Sequence, residues 1–570
     1  MGKLLRSLQW LDENILKILV SIFIFLIPLF PKFPLIDLEF TYLNIRLEDF
    51  FMVLVGLVFA VQVIRKKETI NKEFFWLFIV YWIAIFSSLI WNYFISKEIE
   101  YLHIGLLHTA RRVEYMLIFF VTISSIKSKK DLFFYLTLIF EVLLIACTYG
   151  LGQKFGTYVG LGTMAFILLG TIGWIIKFGM SPLMYLRFTW LAILGYLIKM
   201  VVERYGPVTL PAIQTMNPEF SRGLLLFLTK EARVSSTFAG HYDFAAYLVF
   251  LIPILIAFII YRKNISIMIL FVISLFMLVL TASRVSFGAY AVSVTGLLLW
   301  SRKWMVLISI VILTILLNLF SSGLVQRFVE TFQIRPIFVN STTGQMVVAQ
   351  KVTTKQLPGG SIVIPGTTET KMTTQEMTNG QKLLIEQVRQ DLRNEASKSG
   401  KILSATEEAQ MVATITAGLS GQNAMVLDTS MAVRFQVSWP RAFKAFKSNP
   451  ILGTGASSLT EATDGGYVRT IGEFGLFGTL AFFAIILKMI WIIWIKLRTD
   501  LKHKQEGIIY YGFLFGILAI LINTTLIDVF EASKVAFYFW MISGIMIGSL
   551  LIEDHKSSHN KHHINKREHK

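Results

Sequence analysis

Long apolar runs separated by short polar turns recur from one end of the chain to the other. They fall near residues 14–30, 50–64, 74–95, 115–126, 132–150, 160–177, 183–202, 243–261, 264–282, 286–300, 305–320, 472–495, 508–527 and 534–552. A hydrocarbon core is crossed by about 20 helical residues, with a range of roughly 17–25. The pattern therefore predicts an all-α polytopic membrane protein with about fourteen transmembrane helices. Because the first run is one of many, it reads as a membrane span and not as a cleaved signal peptide.

Three stretches between runs are expected on one face of the membrane: residues 203–242, the tight turn Ala282–Ser286, and the segment 321–471, which is too polar to be membrane. Within the last, residues 340–380 are rich in Thr, Gly and Gln, and "GSIVIPG" has the β-branched alternation of a hairpin or loop. Residues 381–415 read as a helix interrupted near Gly400, with Leu384, Val388 and Leu392 in one stripe. The stretch that follows reads as a basic amphipathic helix, kinked at Pro440 and ended by a turn through Pro450, Gly453 and Gly455. The plan is then an N-terminal bundle over 1–320, a mainly helical extracytoplasmic loop over 321–471, C-terminal spans over 472–552, and a His/Lys-rich cytoplasmic tail over 553–570 to which no function is assigned.

Composition agrees, since 55% of residues are hydrophobic and 16% are charged, against roughly 25% charged in a soluble domain. The net charge of +18 raises the question of nucleic acid, but the positions of the cations answer it. They sit in short turns at Arg65–Lys67, Lys127–Lys130, Arg262–Lys263, Arg302–Lys303 and Lys496–Lys504, as cytoplasmic membrane loops do, so no nucleic-acid partner is expected and both termini thread to the cytoplasm. The sole cysteine, Cys147, lies inside an apolar run, which excludes disulfides and cysteine-based metal sites.

Arg233 and Arg284 break the positive-inside pattern, each standing within a few residues of a span on the other side. An ionisable group at the membrane edge is costly without a partner, and a guanidinium fork matches phosphate in two contacts. The alternative is that each snorkels to lipid headgroups. Arg111 and Arg112 fall on the same side, where Glu114 can neutralise one of them. His241 and Asp243 follow Arg233 and read either as a base with a substrate-binding carboxylate or as caps of the entering helix. In "DGGYVRTIGEFGLFG" at 464–478, Asp464 and Glu473 are candidate proton acceptors and Tyr467 a candidate substrate contact. Arg434 joins them as a candidate substrate-binding residue, while Arg469 and Glu473 are spaced for an i,i+4 pair and Gly475 and Gly478 for close packing on a neighbouring span.

Taken in order, these segments resemble the O-antigen ligase/polymerase superfamily of bacterial membrane glycan transferases. The resemblance covers roughly residues 100–550 and rests on "YGLGQKFG" at 149–156, "RVSSTFAGHYDFAAYL" from Arg233, "LTASRVSFGAY" around Arg284, "VRFQVSWPRAFKAFKSNPILGTGASS" from Val433, and "DGGYVRTIGEFGLFG". It implies a GT-C-like fold in a bacterial cytoplasmic membrane. It further implies that a glycan on undecaprenyl diphosphate passes to a hydroxyl of a glycan, lipid or protein acceptor at the outer face, with no metal or cofactor. Arg233 and Arg284 would hold the diphosphate. Many ligases of the family carry histidine where this chain has Asp464, so their histidine-based activation does not transfer, and Asp464, Glu473 or His241 would take that role. The competing expectation is a transporter of polysaccharide or lipid-linked sugar, which would show internal repeats and broken helices; no internal repeat is evident.

Overall fold

The computed structural model describes residues 2–30, 34–36, 44–178, 191–193, 209–214, 224–228, 232–319, 332–340, 346–348, 362–363, 405–416, 419–427, 434–459, 464–502 and 504–568, with single positions and pairs between them. Ten helices precede residue 320 among these: α1 (Gly2–Leu29), α2 (Leu47–Ile64), α3 (Lys72–Phe94), α4 (Leu102–Ser125), α5 (Lys129–Phe155), α6 (Thr157–Phe178), α7 (His241–Arg262), α8 (Ile265–Thr281), α9 (Arg284–Trp300) and α10 (Trp304–Leu319). Five follow: α11 (Ala405–Thr416), α12 (Trp439–Ser448), α13 (Gly466–Arg498), α14 (Gly507–Thr524) and α15 (Ser533–Glu568). Among the described residues, seven helices are long and apolar enough to cross a membrane, namely α2, α3, α5, α7, α13, α14 and the first 20 residues of α15. The protein is an α-helical membrane protein. Of the span expected at 183–202, residues 188–189, 191–193, 195–196 and 199–200 are described, and all are helical.

Local chemistry sets the helix starts. Asn71 accepts from the Phe74 amide at 3.1 Å to open α3, and Asn264 accepts from Ser266 at 2.9 Å to open α8. Ser128 and Asp131 form a capping box at α5.

The chain divides into two compact units, Met1–Leu324 with Arg441–Lys570, and Val325–Pro440. Residues 441–471, expected in the outer segment, thus pack with the membrane helices. In the first unit α7 is buried at every position from Asp243 to Phe258, as a helix surrounded by others must be. Its neighbour α14 approaches through Gly512 and Gly516, where a Cβ would come within 2.5 Å of Ala257 and 2.7 Å of the Phe250 carbonyl.

Ion pairs gather the basic turns at one end of this unit. Arg65 meets Asp12 at 2.7 Å, Lys127 meets Glu68 at 3.1 Å, Lys129 meets Glu506 at 2.8 Å, and Lys17 pairs with Asp131. The starts of α4, α7, α9, α13 and α15 and the end of α14 lie at the opposite end.

The first unit also holds two short antiparallel pairs, β1 (Pro34–Ile36) with β2 (Ile45–Arg46) and β3 (Pro211–Gln214) with β4 (Leu224–Phe227), and the second carries a four-stranded antiparallel sheet in the order β6 (Met346–Val348), β5 (Phe332–Asn340), β8 (Leu419–Leu427), β7 (Ile362–Val363). The outer segment, expected to be mainly helical, carries this sheet together with α11, the turn Arg434–Ser438 and α12. Strand β7 is the alternation in "GSIVIPG", but β5 and β8 pair across nine positions far apart in sequence. The helix break expected near Gly400 is outside the described residues. The kink expected at Pro440 takes the form of a π-helical turn, Arg434–Ser438, with Pro440 second in the α-helix that follows.

Candidate functional site

Gly466 packs closely on a neighbouring span, a Cβ there standing 2.6 Å from Thr524 of α14, whereas Gly475 and Gly478, expected to do so, face the Ile451 backbone and the Phe474 side chain. Gly475 has φ 60° and ψ −160°, which breaks α13 into two helical pieces. Such a break orphans backbone groups on either side, and the turn after α12 satisfies them. Leu476 and Phe477 donate to the Pro450 and Ile451 carbonyls at 2.8 and 3.1 Å, while Thr454 and Gly455 donate to the Gly472 and Glu473 carbonyls at 3.0 and 2.8 Å. Ser88 of α3 donates to the Glu473 carbonyl and Asn92 to that of Gly453. Close approach requires glycine on both sides: a Cβ on Gly453 would stand 2.4 Å from the Glu473 backbone, and one on Gly475 2.4 Å from the Ile451 oxygen.

The break holds Glu473 against a buried ion network. Arg112 of α4 donates to Glu473 at 3.2 Å, pairs with Glu531 in the α14–α15 connection, and lies 4.5 Å over the Phe474 ring. Arg112 and Glu473 are 6% and 2% exposed, so each charge depends on the other. Arg469 and Glu473, expected as a pair along one helix, each reach another element, Arg469 meeting Asp528 at 2.9 Å. Glu473, expected from sequence as a proton acceptor, is thus placed as a counter-ion of Arg112.

The two carboxylates of the α14–α15 connection are driven apart. Burial pushes Asp528 up to about 7 against the pull of Arg469, with nearby Asp464 adding to the rise. Burial would raise Glu531 too, but Arg112 and Arg469 outweigh it and hold it below its usual value. Buried around them, Arg112 Nε, Glu473 Oε1, Asp528 Oδ1 and Ser533 Oγ have no hydrogen-bond partner. Arg469, Asp528 and Glu531 were not singled out as site residues by the sequence. The signal that finds them is a count of charged residues on the face opposite the basic turns, where "IDVFEAS" falls.

Asp464 precedes α13 and does not cap it; Gly465 does, with φ 113°. Its charge acts on Asp528. The Tyr467 hydroxyl donates to the Leu521 carbonyl of α14 at 2.5 Å, so the phenol, expected as a substrate contact, ties two helices together.

No family model, curated protein or solved structure matches the chain.

The remaining arginines divide. Arg233 Nη1 lies 2.9 Å from His241 Nε2. Guanidinium only donates, so Nε2 accepts and the ring proton sits on Nδ1. His241 thus braces Arg233, and the lone pair a base would use is occupied. Next to Arg233, the Val234 amide donates to Leu280, four residues before Arg284, at 3.4 Å. The two arginines are therefore carried by segments joined at one corner. Beside that corner, Ser286 donates to Asn523 Oδ1 at 3.1 Å and the buried Asn523 Nδ2 has no hydrogen-bond partner. Asp243, expected as a substrate contact, is buried in the first turn of α7, where Lys32, Lys534 and Arg46 act on it as nearby cations. Lys534 itself donates to the Pro28, Phe30 and Thr237 carbonyls at 2.9, 2.8 and 2.6 Å. Arg434 belongs to the other compact unit, where it is buried in the π-helical turn.

Proposed function

We propose that the protein is a membrane glycosyltransferase that moves a glycan from a polyprenyl diphosphate to an acceptor hydroxyl, on the membrane face opposite the basic turns, in the manner of O-antigen ligases and polymerases. The observation that carries this reading is the braced Arg233 tied to the corner of Arg284. Fixed guanidinia at a membrane edge suit a diphosphate that gains charge as it leaves. Asp464, with Asp528 beside it, receives the acceptor proton. Donor glycan and acceptor hydroxyl combine with release of polyprenyl diphosphate, and no redox step is required.

The test is transfer by purified protein from a polyprenyl-diphosphate glycan. Arg233→Ala and Arg284→Ala should each lower the rate by about 10²–10³, the usual cost of removing one fixed donor from developing charge. Full transfer by both variants would sink the diphosphate clamp. The break in α13 favours a second reading, a transporter of lipid-linked sugar, because transporters build sites at discontinuous helices. Movement of labelled donor across vesicles without glycosyl transfer would favour that reading over ours.

A further inference from the structure

At the basic end, the connection from α13 to α14 folds into a cup. Leu501 donates to the Lys496 carbonyl at 2.9 Å, Lys504 to that of Leu501 at 3.1 Å and Gly507 to that of Lys504 at 3.0 Å, so these described residues are tied to one another. Together with the end of α9 it encloses a cavity of about 680 Å³. Arg498, Lys502 and Lys504 line it along with Trp300 and Tyr511, and Leu497 contributes to an apolar wall.

Two features separate this cup from an ordinary basic loop. Both acids of the connection are engaged away from the cavity lining, Asp500 with Lys496 at 2.8 Å and Glu506 with Lys129 at 2.8 Å. The cation that enters from α13 is also held in place: the Arg498 guanidinium lies 4.5 Å over Trp494, whose ring is 5.6 Å from Trp300, which in turn is 6.1 Å from Tyr511. The contact keeps the guanidinium beside the indole before any ligand arrives, and cationic pockets beside indole rings at the interface fit a lipid phosphate above its acyl chains.

We propose that this cup binds the phosphate headgroup of an anionic phospholipid from the leaflet that bathes the basic turns. Its cations contact the phosphate, and the glycerol and first methylenes rest on the Leu497 side. The site is independent of the transfer reaction proposed above.

Native mass spectrometry of the purified full chain, with phosphatidylglycerol or phosphatidylcholine added, tests this. The wild type should retain phosphatidylglycerol preferentially, and Arg498→Ala/Lys502→Ala should lose that retention by roughly tenfold or more. Lys502→Glu, at an exposed position, should lose it without disturbing the fold. Removing the same charge elsewhere with Lys66→Ala/Lys130→Ala should leave it intact. Equal retention of the two lipids by the wild type, or equal loss in the Lys66/Lys130 variant, would overturn the assignment. Displacement of the lipid by inorganic phosphate at equal concentration would also overturn it, since the occupant would then be the free anion.

Discussion

The break at Gly475 can be tested by adding one methyl group. Gly475→Ala forces an L-residue to φ 60° and ψ −160°, a strain of about 1–3 kcal/mol. Its Cβ would also stand 2.4 Å from the Ile451 oxygen and 2.7 Å from the Gly453 nitrogen, so the 450–453 turn must retreat. Retreat stretches the bonds from Leu476 and Phe477, each worth about 1 kcal/mol. The sum is roughly 3–5 kcal/mol. Gly162→Ala in α6 is the control, because nothing lies within 4 Å of its Cβ; it should be neutral or stabilising by up to about 1 kcal/mol. The assay is the fraction of detergent-solubilised protein that stays monodisperse after heating. The Gly475 variant should lose several degrees of midpoint, at roughly 2 °C or less per kcal/mol for a chain of this length. A midpoint equal to that of the Gly162 variant would refute the clasp between the turn and α13.

Other outcomes follow from the buried charges. Arg112→Met strands Glu473 and Glu531 and should cost about 3–5 kcal/mol, partly recovered by adding Glu473→Gln; a silent Arg112→Met would contradict the network. Asp528 carries a raised value, so its contribution to stability is complete below the ordinary 3.8 and is lost as pH rises through about 7. Thermal midpoints should therefore fall between about pH 4 and pH 7, and Asp528→Asn should flatten that slope. Glu531 acts in the opposite sense: its contribution is present above the ordinary carboxylate value and lost as pH falls below it. Tyr467→Phe should leave transfer intact while loosening α13 from α14, and a large loss of rate alone would return the phenol to the substrate.

Where an apolar run decided the matter, sequence and structure agree closely. The run at 243–261 became His241–Arg262, and that at 264–282 became Ile265–Thr281. The Arg233 and Arg284 segments were legible for a related reason, since a charge on the wrong side of a span stands out against lipid. Their joining through Val234 and Leu280 was not, because no local pattern encodes a corner. The partners of Glu473 and Tyr467 were not legible: each looks available along one helix, yet Glu473 is engaged by Arg112, 361 positions away, and Tyr467 by Leu521. Asp528 escaped notice because a turn of two carboxylates carries no motif, and its unusual state arises only from burial and neighbours. Strands β5 and β8 were hidden for the same reason as the corner, each needing the other to exist.

The Arg112–Glu473 bond also has a consequence for the order of synthesis. Ribosomes add roughly 5–20 residues per second, so Arg112 enters the membrane region on the order of half a minute before its partner is made. Through that interval its charge must be sheltered by water, headgroups or an insertion factor. The last helices therefore complete an early one, and a chain halted before α13 would present an unpaired cation to the cell's membrane proteases.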